Sequence, residues 1–287
     1  MVLYCRDMTE RHAREQALQA IAYADPMTGL PNRAAVLRSL QDALTDPADA
    51  PGTLLMIELD GLAAVRANAG REAVTASVAE VGRRLRATVR GEDVVARMGG
   101  GAFAILAYGT DAEADRLADR CLAVVEQPIV TTAGLVELTS SIGIVPIEQG
   151  CGVEAVLERS DLAVHAAHEA GKGYARRYDA SLGDAAARRD LLRHDLQGAR
   201  ARGELYLLFQ PIVSLRERRV TGVEADLRWR HATLGEIPAA EFVPLAERAG
   251  LIGELVRWSL EEAATVASRL PAGRPRCGSA RRCRPAT

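Results

Sequence analysis

The run Arg97-Met98-Gly99-Gly100-Gly101-Ala102-Phe103-Ala104-Ile105-Leu106 narrows the choice of fold more than any other stretch of this chain. It reads as a short strand, a turn of three glycines and a second, apolar strand. A turn this tight needs positive φ, which glycine adopts without a Cβ penalty. Hairpins are common, so the weight of this one comes from its neighbours. Asp25-Pro26-Met27-Thr28-Gly29-Leu30-Pro31-Asn32-Arg33 precedes it, and Ser141-Ile142-Gly143-Ile144 and Ser160-Asp161-Leu162-Ala163-Val164-His165 follow.

Hydrophobic periodicity supplies the elements between these segments. From Asn32, a residue type that caps helices, Val36, Leu40 and Leu44 fall on one helical face; Val74, Val78, Val81 and Leu85 stripe a second helix. Residues 53–59 are almost continuously apolar, as in a central strand covered on both faces. Helices are expected over 111–126, carrying Leu117, Cys121 and Val124, and over 153–170, with strands near Val136 and Ile142. Strands and helices mix without strict alternation, which supports an α/β sandwich. Near the start, Asp7 and Glu10 suit a capping box opening a helix to about Ala22. Its few apolar positions, Ala17, Leu18 and Ile21, leave a coiled coil and an ordinary connecting helix both open. Downstream, a charged amphipathic helix is expected over 185–202, then a strand over 205–213, a turn over 216–219 and a strand to Trp229.

Composition sets limits on function. At 287 residues and 48% hydrophobic content the chain can bury a full core and make about two domains. Its 36 basic and 38 acidic residues, a net charge of -2, give no electrostatic case for nucleic acid or an anionic membrane surface. Lys172 is the only lysine, a bias that codon usage in a GC-rich genome explains more simply than a phosphate-binding surface. Cys5, Cys121, Cys151, Cys277 and Cys283 form neither a CxxC pair nor a zinc spacing, so free thiols in a reducing cytosol are expected. His165 and His168 lie one helical turn apart, and two solvated side chains are the simpler reading beside a shared metal. No run approaches the ~18 apolar residues of a membrane span, and residues 1–5 are too short for a signal peptide's apolar core. A soluble, cytoplasmic chain is expected.

In order and spacing, the four segments resemble the GGDEF family of diguanylate cyclases over about 22–178. Further on, Leu208-Phe209-Gln210-Pro211-Ile212-Val213, Gly222-Val223-Glu224-Ala225-Asp226-Leu227-Arg228-Trp229, Phe242-Val243-Pro244-Leu245-Ala246-Glu247 and Gly250-Leu251-Ile252 resemble the opening of an EAL phosphodiesterase domain, over 185–270. Cys5-Arg6-Asp7-Met8-Thr9-Glu10-Arg11 resembles the exit of a PAS sensor, making 1–21 a PAS-exit strand and linker helix. The fold these resemblances imply is α/β: a cyclase-like domain with a five-stranded central sheet and flanking helices, then the first part of a TIM barrel. A full barrel takes ~250 residues. From about 271 to 287 the chain has no hydrophobic period and too much Pro and Arg for a strand. An interrupted reading frame or early stop is the expectation there.

The resemblance also assigns roles. Cyclases of this family join two GTP molecules, one per domain of a dimer, using Mg²⁺ held by a carboxylate from the central strand and another at the third position of the turn. Here Glu58 takes the strand position, and the turn reads Gly99, Gly100, Gly101, Ala102, Phe103, so one metal ligand is a longer carboxylate and the other is missing. The family's guanine-reading positions fall on Arg66 and Thr75, and its phosphate-binding lysines on Ala63 and His168. Cyclase activity is therefore not expected. Glu58 and Asp60, two apart on a strand, share a face; weak ion capture and simple solvation are the two readings, solvation being expected. Arg90-Gly91-Glu92-Asp93 fits the family's RxxD inhibitory site for cyclic di-GMP. A guanidinium suits a phosphate or guanine edge, and a carboxylate suits the guanine Watson–Crick edge. A solvated Arg and a turn-forming Asp account for it equally. In the EAL part, Glu224 matches a metal ligand, Gln210 a residue near the base and Arg228 a residue near the phosphate. Asp226 replaces the motif's leucine, and the later metal ligands and catalytic lysine of the family are not matched.

Three readings stay open: a cyclic di-GMP signalling module that senses ligand or regulates without making the messenger, with a homodimer through the linker helix and GGDEF domain implied; a fragment of a tandem phosphodiesterase; and a nonfunctional remnant.

Overall fold

Strand β1 (Thr53–Asp60) sets the architecture of the first part of the chain, because its alternate side chains feed two separate cores. Leu55, Ile57 and Leu59 enter one, and Leu54 and Met56 the other. The computed structural model describes residues 22–45, 52–216, 218–268 and 276–277. The expected linker helix before Ala22 and most of the tail lie outside these residues. The chain divides into two compact units, Met1–Gly183 and Asp184–Thr287.

In the first unit, helix α1 (Arg33–Thr45) leads into β1, followed by α2 (Leu62–Thr88), β2 (Val94–Gly99), β3 (Ala102–Ala107), α3 (Asp111–Val125), the small hairpin β4 (Ile129–Thr131) and β5 (Gly134–Val136), β6 (Thr139–Pro146), α4 (Val153–Ala170) and β7 (Ala175–Arg177). The central sheet has five strands in the order β2-β3-β1-β6-β7, antiparallel except for the parallel pair β6–β7. Residues of α2 and α3 cover one face, with Leu85, Leu117 and Phe103 among the buried side chains. Residues of α1 and α4 cover the other, with Val36, Leu40 and Val156. This is the α/β layering expected from periodicity, with the five-stranded sheet that the family resemblance implied.

The glycine of Ser141-Ile142-Gly143-Ile144 has a packing reason. A Cβ at Gly143 would stand 2.8 Å from both Ser160 O and Val164 N, so only glycine lets β6 lie this close to α4. Helix α3 starts with a complete capping box in which Thr110 and Glu113 satisfy each other's backbone amides. Helix α2 is interrupted at Gly70, whose φ of 81° is outside helical geometry.

The second unit takes in helix α5 (Ala180–Ala199) from Asp184 onward, strands β8 (Leu205–Ser214), β9 (Arg219–His231) and β10 (Gly235–Ile237), helices α6 (Ala239–Arg248) and α7 (Ile252–Ser268), and the two-residue strand β11 (Arg276–Cys277). Strand β9 pairs antiparallel with β8 and β10 and parallel with β11. The composition of the tail argued against any strand there; β11 forms nonetheless, because ladder hydrogen bonds are made by the backbone and two residues need no apolar alternation. Trp229 is fully buried at the centre of this unit's core, edge-on to Phe242 at 5.6 Å and donating its indole N–H to Glu204 Oε2 at 3.0 Å. Only one face of the β8–β9 pair contributes to that core, through Leu205, Leu227 and Trp229.

Candidate functional site

The glycine turn is held by a partly buried ion pair. Asp25, at the head of the 25–33 segment, accepts hydrogen bonds at Oδ1 from the Thr28 hydroxyl (2.8 Å) and the Thr28 amide (2.9 Å). Its Oδ2 accepts one from Arg97 Nη1 at 2.7 Å, with both side chains only 12–13% exposed. Arg97 then donates from Nη2 to Gly100 O at 2.8 Å, and its amide donates to Pro31 O. Burial alone would push the Asp25 carboxyl up, but the hydrogen bonds from Thr28 and Arg97 outweigh it and hold it below its ordinary value. The 25–33 loop and the turn are thus one unit, with Gly99 (φ 120°) and Gly100 (φ 53°) making the reversal.

At the third turn position the chemistry is absent and the space is filled. A Cβ built on Gly101 would stand 2.2 Å from Leu62 Cδ1 and 3.3 Å from Leu59 Cβ. Leu62 therefore occupies the room that a side chain at 101 would need. Ala102 sits opposite Glu58 on β1, whose carboxylate is exposed, and Phe103 is fully buried as a core residue. Among the described residues no three His, Cys, Asp or Glu side chains converge as a metal site. Glu58 faces no second carboxylate at the turn, so the donor set does not suit Mg²⁺.

Asp60 corrects the expectation of a solvated carboxylate pair. Its side chain is 3% exposed and is bound by Thr139 Oγ1 at 3.1 Å, Ser141 Oγ at 3.3 Å and His168 Nδ1 at 3.1 Å. Strand alternation puts Glu58 and Asp60 on one face, but β6, paired antiparallel with β1, sets Thr139 directly opposite Asp60 and Ser141 two residues further on, and these supply its hydroxyl partners. The two histidines are exposed helix side chains, as expected, His165 at 50% and His168 at 57%; each also reaches a different carboxylate, His168 Asp60 at 3.1 Å and His165 Glu169 at 3.5 Å, so they share no ligand.

Arg90 and Asp93 come together beside a small open cleft between the end of α2, β3 and α3, lined also by Tyr108, Glu113, Arg116 and Arg120. Asp93 is buried, and both its oxygens accept main-chain amides: Oδ2 from Arg90 at 3.0 Å and Oδ1 from Tyr108 at 3.0 Å. Its geometry is that of a turn residue. Arg90 is exposed and pairs with Glu113 Oε1 at 2.9 Å. Glu113 was not singled out from sequence, although the Thr110-x-x-Glu113 spacing of a capping box was readable there. Leu62 carried no comparable signal.

In the second unit, the β8–β9 register places Gln210 directly opposite Glu224, Leu208 opposite Asp226 and Tyr206 opposite Arg228. Gln210, Glu224, Asp226 and Arg228 therefore share the face away from the Trp229 core. Asp226, where the family motif has leucine, lies 3.4 Å from Arg228 Nη2, each side chain 36% exposed. Arg228 Nε is buried without a partner.

Comparison with known proteins fits this geometry. The family described as "Diguanylate cyclase, GGDEF domain" matches residues 22–174, and the EAL domain family matches 193–280. An uncharacterized signaling protein of Caulobacter vibrioides is 33% identical over 269 residues, covering 91% of this chain and 33% of the relative. The bifunctional diguanylate cyclase/cyclic di-GMP phosphodiesterase MucR of Pseudomonas aeruginosa is 34% identical over 250 residues, covering 85% and 36%. The chain thus spans about a third of the length of these curated relatives. Among solved structures, the isolated GGDEF domain of Pseudomonas aeruginosa YfiN is 29% identical with a TM-score of 0.51, covering 56% of this chain and 98% of that one. The S helix-GGDEF-EAL portion of Vibrio cholerae LapD, bound to c-di-GMP, shares the fold at 16% identity with a TM-score of 0.61, over 94% of this chain and 64% of that one. This chain belongs to the GGDEF family, with its GGDEF domain followed by a region that matches the EAL family.

Proposed function

We propose that this chain is a cyclic di-GMP signalling module of the GGDEF-EAL type that binds or relays the messenger without synthesising it, in the cytoplasm. The observation that carries the reading is the turn itself: Asp25 and Arg97 keep its shape, while position 101 offers no carboxylate and Leu62 Cδ1 lies where a Cβ there would go. A cyclase that must gather Mg²⁺ at this turn has lost one donor, and its room, but the scaffold remains. The ligand-facing group is then Arg90, with Arg116 and Arg120 as further cations for phosphate and Asp93 as the residue that positions Arg90 through its backbone amide. A homodimer through the linker helix and this domain is part of the proposal.

A second reading, that the chain is a fragment of a tandem GGDEF-EAL cyclic di-GMP phosphodiesterase, is favoured by one observation: Gln210 and Glu224 stand side by side on one sheet face. Glu224 is the residue there that would hold a divalent metal.

Calorimetric titration of the full chain with cyclic di-GMP, beside Arg90→Ala and with a parallel assay of GTP conversion, tests the first reading. Binding lost in Arg90→Ala, with GTP unchanged, is the expected result. Formation of cyclic di-GMP, or no heat from a folded sample, would overturn it.

A further inference from the structure

The cleft beside Arg90 contains a carboxylate that the proposed ligand has to displace. We propose that Glu113 is a built-in competitor for Arg90, occupying it in the free protein and setting the affinity of the cleft for a phosphodiester-bearing nucleotide. This rests on the reading of that cleft as the cyclic di-GMP site.

Three observations support it. First, Glu113 is fixed in place: its Oε2 accepts the Thr110 amide at 2.9 Å and the Thr110 hydroxyl at 3.0 Å, closing the capping box of α3. Its other oxygen, Oε1, is thereby aimed at Arg90, which meets it at 2.9 Å. Secondly, the pair is at the open side of the cleft, with the Arg90 side chain 54% exposed and that of Glu113 30% exposed, so an incoming anion can reach the same guanidinium. Thirdly, the cleft holds more cations than that one pair uses. Arg120 donates to Thr88 O at 3.1 Å, and Arg116 has no ion-pair or hydrogen-bond partner among the described residues. Three guanidinium groups thus face two carboxylates, one of which, Asp93, is spent on main-chain amides.

The carboxyl of Glu113 is held down to about 2 by the Thr110 amide, then by Arg90 and the Thr110 hydroxyl. It therefore stays ionised throughout the physiological range. Competition is electrostatic: a phosphate takes over the Arg90 guanidinium, and Glu113 keeps its cap on α3 while its second oxygen returns to solvent. The same glutamate thus stabilises the helix and weakens the ligand site.

Glu113→Gln separates these two jobs, because glutamine also serves at the third helical position of a capping box while carrying no charge. The experiment is calorimetry of cyclic di-GMP with the full chain, Glu113→Gln, Arg90→Ala and Glu113→Gln/Arg90→Ala, at two salt concentrations, with thermal melts alongside. The expected result is binding roughly tenfold tighter in Glu113→Gln, the size of effect that freeing one guanidinium from its counter-ion gives, with a steeper salt dependence and a melt close to the parent. Both proteins carrying Arg90→Ala should lose binding. Unchanged or weaker binding in Glu113→Gln, with Arg90→Ala still defective, would overturn the competitor role and leave the site reading standing. No binding by parent and Glu113→Gln alike, or binding indifferent to Arg90, would overturn the site reading and this inference with it.

Discussion

The glycine turn and the β8–β9 face have each departed from their family's motif, but in physically different ways. At the turn, a carboxylate has been replaced by nothing and hydrocarbon has moved in: Leu62 Cδ1 lies where a Cβ on Gly101 would have to go. On the β8–β9 face, Gln210 and Glu224 remain in register, and what has changed is a leucine turned into Asp226, which pairs with Arg228. The first change is one of packing and the second one of charge. Packing changes are shared among several side chains and are not undone at one position, whereas a partly exposed ion pair can be opened by a single substitution at little cost.

The most severe test of this contrast addresses what still holds the turn. Arg97→Ala leaves the partly buried Asp25 without its cation and should cost about 3 kcal/mol in chemical denaturation of the first unit. Because the Asp25 carboxyl is held below its ordinary value when folded, it takes up a proton less readily there than in the unfolded chain. Its contribution is complete above the unfolded value of about 4 and is lost as pH falls through the folded one. Stability measured from pH 5 down to pH 2 should therefore fall less steeply in Arg97→Ala than in the parent; parallel slopes would show that the ion pair does not carry the turn.

A smaller effect is expected from restoring the acid. Gly101→Asp has to push Leu62 aside, costing about 1–2 kcal/mol, and should not bring back synthesis of cyclic di-GMP. Adding Leu62→Ala should recover part of that loss, a positive coupling readable in a double-mutant cycle. If Gly101→Asp alone were neutral in stability, the turn would not be filled in the sense argued above.

The smallest effect on stability belongs to the other face. Asp226→Leu should change it by no more than about 1 kcal/mol, since the pair is partly exposed and long. Its signature is chemical: Arg228 should react faster with an arginine-modifying dicarbonyl reagent, followed by peptide mass mapping. An unaltered rate would mean that Asp226 does not restrain Arg228, and the distinction between the two regions would narrow to packing alone.

Much of this was readable in the residues. The continuous apolar run of β1 implied a strand covered on both faces, because such a strand needs hydrocarbon at both parities, and the two cores on either side of it follow. The positive φ at Gly99 and Gly100 followed from three adjacent glycines. The missing acid at 101 was equally plain. Glu58 and Asp60 were less legible: alternation puts them on one face, but only the pairing of β6 with β1 and the placement of α4 bring Thr139, Ser141 and His168 to the second and leave the first in solvent. The local sequence suits Asp93 equally to reading a ligand and to forming a turn, and its contacts to the amides of Arg90 and Tyr108 are those of a turn residue.

What the sequence by itself determined, then, was which side chains are available and the local rules that act within a few residues: helical stripes, a glycine turn, a capping box, the absence of an acid. Only the tertiary structure decided which of those side chains meet. Leu62 against Gly101, Glu113 against Arg90 and His168 against Asp60 join residues from different elements, 23 to 108 positions apart for the two polar pairs. Contacts of that range are set by how sheet and helices stack, and no period of 2 or 3.6 residues encodes them.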